Sequence, residues 1–152
     1  MKITLATLKY SFLFSLILIL MSCGTAQKKS DSSTPSLVGT FWILQTLEGK
    51  TISHPDDPRL IGFELQESEN RIVGFGGCNN FFGTYNLSQP DKISFSPIGA
   101  TKMACLTTTF NENDFFAVFE GVNNYQIRDQ ILTLYQDNEV LATLKADKTI
   151  GK

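Results

Sequence analysis

Gly74-Phe-Gly-Gly-Cys-Asn-Asn-Phe-Phe-Gly-Thr-Tyr85 is the stretch on which the reading of this chain turns. Four glycines, two adjacent asparagines and a cysteine stand among aromatic residues of the kind that favour strands. Glycine and asparagine accept positive φ at least cost, so the stretch predicts a sharply constrained connection between two strands. Upstream, Leu60 to Gln66 alternates, with Ile61, Phe63 and Leu65 inward and Gly62, Glu64 and Gln66 outward, as a half-buried antiparallel strand does. Glu67 to Asn70 turns the chain and Arg71 to Phe75 returns as its hairpin partner. Downstream, Phe81 to Leu87 forms the next strand and ends at Ser88-Gln-Pro-Asp91.

Further out the pattern repeats. Val38 to Leu47 reads as a strand with Phe41, Ile43 and Leu47 on one face and Trp42 and Leu44 on the other, buried on both sides for part of its length. Thr51-Ile52 pairs briefly before the loop His54-Pro-Asp-Asp-Pro58. Lys92 to Pro97 and Ile98 to Cys105 are two more strands, the second kinked near Gly99. One segment reads as helix. Asn111 is its N-cap, Asp114 takes the third helical position of a weakened capping box, and Phe110 and Phe115 form a hydrophobic staple. Phe115, Val118, Phe119 and Val122 then fall on one helical stripe, and Asn123-Asn124 offers a left-handed cap. Tyr125–Arg128, Ile131–Tyr135 and Val140–Lys145 close the chain as a meander, turning at Asp129-Gln130 and Asp137-Asn138. The expected fold is α+β and mostly antiparallel β: about eight short strands in a curled sheet or cracked barrel, with one helix packed on it.

The first residues are an address rather than part of that fold. Lys2 and Lys9 precede an apolar run, Tyr10 to Leu20, interrupted only by Ser11 and Ser15 and shorter than the roughly 20 residues a spanning helix needs. The run ends at Leu20-Met-Ser-Cys23, which resembles the lipobox of bacterial lipoproteins, although Met21 departs mildly from the usual small or aliphatic residue. The resemblance implies cleavage before Cys23, a diacylglycerol thioether on its sulfur and an acylated new N-terminus. An ordinary secretory signal with an incidental cysteine is the alternative. Residues 1–22 are then a signal peptide, 23–36 a lipidated polar tether with no large apolar residue, and 37–152 the domain. Several acyl chains on one residue suffice for stable anchoring without a span. Gly24 stands where an aspartate would retain a lipoprotein at the inner membrane of enteric bacteria, so the outer membrane is the expected location.

From Leu37 onward nine Lys/Arg face fourteen Asp/Glu, a formal charge of −5. Such a domain has no electrostatic footprint for nucleic acid and is weakly repelled by anionic headgroups. With Cys23 lipidated, Cys78 and Cys105 remain as a pair in a compartment where disulfides persist. A bridge between them contributes roughly 3–4 kcal/mol in the chain-entropy model. Two free buried thiols are the other reading.

Trp42-x-Leu44, the Gly-Cys-Asn core of Gly74–Tyr85 with its following Phe-x-Gly-x-Tyr, and Thr101-Lys-Met-Ala-Cys105 together resemble the META domain, a family that includes the HslJ-like bacterial lipoproteins. The helix around Phe115–Phe119 and Leu132-x-Leu134 fit its later part, so the resemblance spans roughly Leu37 to Leu144. It implies a cracked antiparallel barrel interrupted by a helix, in a periplasmic or surface lipoprotein linked to heat-shock and envelope-stress responses. It carries no catalytic residue.

The residues themselves offer little chemistry. A Cys–His nucleophile needs Cys78 or Cys105 beside His54, the only histidine, which stands in a proline-rich loop. His54, Asp56 and Asp57 lack the ligand spacing of a zinc site, and Gly74-x-Gly76 has Asn79 where a nucleotide fingerprint has its third glycine. No cofactor and no metal are expected. Gly76, Gly77, Asn79, Phe81 and Gly83 form a candidate binding or structural loop, with Gly76-Gly77 letting the cysteine approach its partner and Asn79 bonding local backbone. The expected function is a non-enzymatic, membrane-anchored envelope module with a protein or lipid partner. The alternative is a lipocalin-like carrier of a small hydrophobic ligand. Gly39-x-x-Trp42 is one residue too long for the lipocalin signature, and a thiol enzyme stands further back.

Overall fold

The computed structural model describes residues 34–53, 59–104 and 110–147. The signal peptide, Cys23, most of the tether, His54, Asp56, Asp57 and Cys105 lie outside those residues. The strands are β1 (Phe41–Leu47), β2 (Lys50–Thr51), β3 (Gly62–Gln66), β4 (Arg71–Phe75), β5 (Asn80–Gln89), β6 (Lys92–Phe95) and β7 (Gly99–Ala100). After helix α1 (Glu112–Gly121) come β8 (Asn124–Arg128), β9 (Ile131–Gln136) and β10 (Glu139–Ala146). All pairings are antiparallel, and the order β1-β3-β4-β5-β6-β8-β9-β10 returns to β1, closing an eight-strand barrel. β2 extends the edge of β1 and β7 lies along the first half of β5. The expected curled sheet with one helix is therefore the observed architecture.

Closure depends on β1 meeting β10 over Trp42–Leu47, where the Thr46 and Thr143 hydroxyls lie 2.6 Å apart. A bulge between Leu44 and Thr46 corrects the expected facing of β1. It returns Leu47 to the buried side with Trp42 and Leu44, and leaves Phe41 and Ile43 half-buried outside. Alternation alone could not show this, because one extra residue inverts every later side chain. Val38 belongs to the turn before β1, with Gly39 at φ +78°. The barrel is thin at one seam, where β6 and β8 share the single pair Lys92–Asn124. Backbone bonds from Tyr125 N to Asp91 O and from Ile93 N to Asn123 O flank it.

Large apolar side chains line the interior. Trp42, Leu44, Phe63, Leu65, Ile72, Leu132, Leu134 and Leu144 are fully buried, and the Trp42 indole N–H donates to Leu37 O at 3.0 Å. The α1 stripe enters this core as expected: Phe115, Val118, Phe119 and Val122 are all buried. Phe119 touches the rings of Phe63, Phe81, Phe95 and Phe115 with centroids 5.1–5.6 Å apart. Asn111 caps the helix by accepting from Asn113 N, while Asp114 accepts from the Asn111 side-chain amide at 2.8 Å rather than from its backbone. At the other end the helix stops at Val122 in extended conformation, and Asn123 is not left-handed. Its side chain instead exchanges two bonds with Asp137 across the β8–β9 hairpin. The stretch after Gly99 also differs: only Gly99–Ala100 pairs, and Thr101 to Ala104 leaves the sheet. Among the described residues no helix is long and apolar enough to cross a membrane.

Phe119→Ala should lower unfolding free energy by about 3–5 kcal/mol in a urea titration, because four rings lose their common neighbour. A second check is alkaline. Tyr85, whose hydroxyl donates to Gln66 O, titrates above the usual phenol range because of burial and then the nearby Glu67 charge. The folded form thus holds this proton more tightly than the unfolded chain. The stability it contributes is complete below pH ~10 and is lost as pH rises through the elevated value. Tyr85→Phe should flatten that alkaline loss.

Candidate functional site

β4 and β5 are joined by Gly76-Gly-Cys-Asn79, and the geometry of this four-residue tip follows from what is pressed against it. Gly77 sits at φ +102°, a conformation L side chains rarely adopt. A Cβ on Gly76 would stand 2.8 Å from the Phe116 ring and 3.1 Å from Glu112 Cβ. The glycines therefore make room for the start of α1, where the sequence suggested room for a disulfide partner.

Asn79 is the one buried polar side chain among the described residues, 4% exposed. Its backbone N–H donates to Glu112 Oε2 at 2.8 Å and its Nδ2 to Glu112 Oε1 at 2.6 Å. Its Oδ1 accepts from Thr101 Oγ1 at 2.7 Å and from Met103 N at 2.8 Å, and its carbonyl accepts from Gly76 N. The expected local turn bond is thus replaced by a three-way tie between hairpin tip, helix start and the strand exit at Thr101–Met103. Glu112 at the first position of α1 also places its carboxylate where the helix dipole favours negative charge. Cys78 Sγ lies 3.5 Å from Asn79 Nδ2 and 3.8 Å from Met103 O.

The sequence candidates separate in space. Gly76, Gly77 and Asn79 meet in the tip. Phe81 is core, edge-on to Phe115 and Phe116. Gly83 is mid-strand, opposite Ile72 and beneath Ile98. Glu112 was missed, since a glutamate at a helix start reads as ordinary N-terminal charge.

Beside the tip, the outer face of β1, β3, β4 and β5 forms a groove of about 750 Å³. Its floor is one cross-strand row, Phe41–Glu64–Val73–Phe82, set by the registers of three strand pairs. Phe82 is 52% exposed, the ring resting against Gly99. In the next row Phe75 is buried outside the interior cluster, with the Arg59 guanidinium carbon 4.0 Å from its ring centroid. Arg71 and Asp147 complete the charged rim, and Asp147 N donates to Phe41 O. No Ser, Thr or Cys lines the groove among the described residues. Among those residues no group of three or more His, Cys, Asp or Glu is placed to hold a metal ion.

The family model described as META domain matches residues 35–148. An NMR structure of a protein from Burkholderia xenovorans is similar at 28% identity and TM-score 0.59, covering 74% of this chain and 84% of its own. A second NMR structure shares the fold at 21% identity and TM-score 0.54, covering 70% and 87%. No curated protein matches.

Asn79→Ala should lower stability by about 2–4 kcal/mol, since it removes the side-chain bonds to Thr101 Oγ1, Met103 N and one Glu112 carboxylate oxygen. Asn79→Asp should be worse at pH 7, because it sets two carboxylates against each other, and the gap should narrow as acid protonates one of them. Urea titrations at neutral and acidic pH check both.

Proposed function

The chain belongs to the META-domain family, and from that premise we propose a non-enzymatic, membrane-anchored envelope module that binds its partner on the outer wall of the barrel. The observation that carries this is the pairing of an interior lined by buried Trp42, Phe63, Phe115 and Phe119 with an exposed aromatic groove on the wall. A carrier needs an internal cavity, whereas Trp42, Phe63, Phe115 and Phe119 occupy the space it would use. That packing and the long Gly39-x-x-Trp42 spacing both count against the lipocalin-like alternative.

The anchor part of the proposal is supported by Leu20-Met-Ser-Cys23 and the polar tether after it. A Cys78–Cys105 bridge belongs to the same reading. It is supported by the Cys78 sulfur lying 3.8 Å from Met103 O, two residues before Cys105 in sequence. The bridge would hold the strand exit to the tip alongside Asn79. Outer-membrane location and a role in envelope stress rest on Gly24 and on the family resemblance.

Two measurements test the proposal. Radiolabelled palmitate should enter the wild-type chain in bacterial cells and be absent from Cys23→Ala, which should leave the membrane fraction; an unlabelled wild type overturns the anchor. A photo-cross-linking residue at position 82 should give discrete adducts in intact envelopes, while one at exposed Leu87 gives none. Equal or absent adducts at both positions overturn the binding surface. Under non-reducing conditions Cys78 and Cys105 should resist thiol labelling; a reactive thiol at either would favour thiol chemistry instead.

A further inference from the structure

We propose that the barrel opens and recloses at one place, the seam between β6 and β8, while the rest of its wall stays paired. The inference is independent of the groove. Closure by β1 and β10 runs over five residue pairs, whereas β6 and β8 share the single pair Lys92–Asn124. Two backbone bonds flank that pair among the described residues: Tyr125 N to Asp91 O at 2.9 Å, and Ile93 N to Asn123 O, stretched to 3.3 Å. Facing residues of an antiparallel ladder ordinarily exchange two such bonds. Asn123 does not complete its exchange with Ile93, because its own N–H is donated to Tyr135 O at 2.9 Å. A side-chain strap also crosses, the Tyr125 hydroxyl donating to Pro90 O at 2.7 Å.

A buried acceptor at the seam works against closure. Asn124 donates its Nδ2 to Asp137 O at 3.0 Å, but its Oδ1 is shut off from water with no hydrogen-bond partner among the described residues. That atom has given up water without a replacement bond, which destabilises the closed arrangement. In the open form water reaches it. The chain is also divided here as an opening requires. Val122 N donates to Val118 O and so belongs to the helix. Asn123 holds Tyr135 O through its N–H and Asp137 through its side chain, and so belongs to the β8–β9 hairpin. When the strands part, α1 stays with β6 through the Phe95–Phe119 ring contact at 5.1 Å, and the hairpin stays with β1 through β10. The hinge therefore falls at the Val122–Asn123 peptide, and each side keeps its internal bonds. The closed form remains the major one because Ile93 and Val122 are buried in the common core.

The test is amide hydrogen exchange of the full lipidated chain in phosphatidylcholine nanodiscs, resolved to single residues by electron-transfer fragmentation and repeated in low urea. The Ile93 and Tyr125 N–H groups should exchange about a hundredfold or more faster than the amides joining β1 to β10, with the shallow urea dependence of a local opening. The Val122 and Asn123 N–H groups, one on each side of the hinge, should keep slow exchange. Tyr125→Phe, which removes the strap to Pro90, should speed exchange at Ile93 by about three- to tenfold and leave Val122 and Asn123 unchanged. Equal protection at the two seams overturns the proposal. So does loss of protection at Val122 or Asn123 together with Ile93, since the helix end or the hairpin would then be fraying instead. An Ile93 amide indifferent to Tyr125→Phe overturns it as well.

Discussion

Asn79 is a polar side chain almost wholly removed from water, and its burial is tolerable because every polar atom it carries has a partner. Those partners come from three places far apart in sequence: the hairpin tip it stands in, Glu112 at the start of α1, and Thr101 and Met103 beyond β7. Of the tied groups only the Asn79 side chain is buried, so loss of either set of partners leaves part of that amide without a bond away from water. The rest follows from it. With Glu112 fixed, the first turn of α1 is placed over Gly76, and the Phe115–Phe119 stripe is delivered onto Phe63 and Phe81. With β4 and β5 held at their shared tip, their outer faces stay in the register that lines up Val73 and Phe82.

Much of the barrel was legible because period-two alternation is a direct consequence of a half-buried sheet. Ile61, Phe63 and Leu65 are fully buried as their spacing requires. The helix was legible for a similar reason, through a cap at Asn111 and a stripe of four apolar residues. What escaped was non-local or depended on one residue. The bulge in β1 moved Leu47 across the sheet with no local signal. Asn79 reads locally as a turn residue, because nothing near it in sequence announces a carboxylate arriving from residue 112. Gly76 and Gly77 are legible as turn glycines, but not the side chains of Phe116, Glu112 and Phe110 that pack against them from residues 110–116.

The groove was legible only in its parts. Phe41, Val73 and Phe82 are unremarkable strand aromatics or aliphatics until three strand pairings put them in one row. With Trp42, Phe63 and Phe119 buried in the interior, the proposed contact surface is the groove on the barrel wall. The hairpin tip holds the helix start through Asn79 and Glu112, and its outer face carries exposed Phe82.

Amide hydrogen exchange at Asn79, followed by NMR in the wild-type chain and in Glu112→Ala, reaches the centre of this account most directly. The account predicts that the Asn79 N–H is protected like a strand amide in the wild type, and that protection falls to loop values in Glu112→Ala while β3 and β9 amides keep theirs. An Asn79 amide that exchanges at loop rates in the wild type, or keeps its protection without the Glu112 carboxylate, would contradict it.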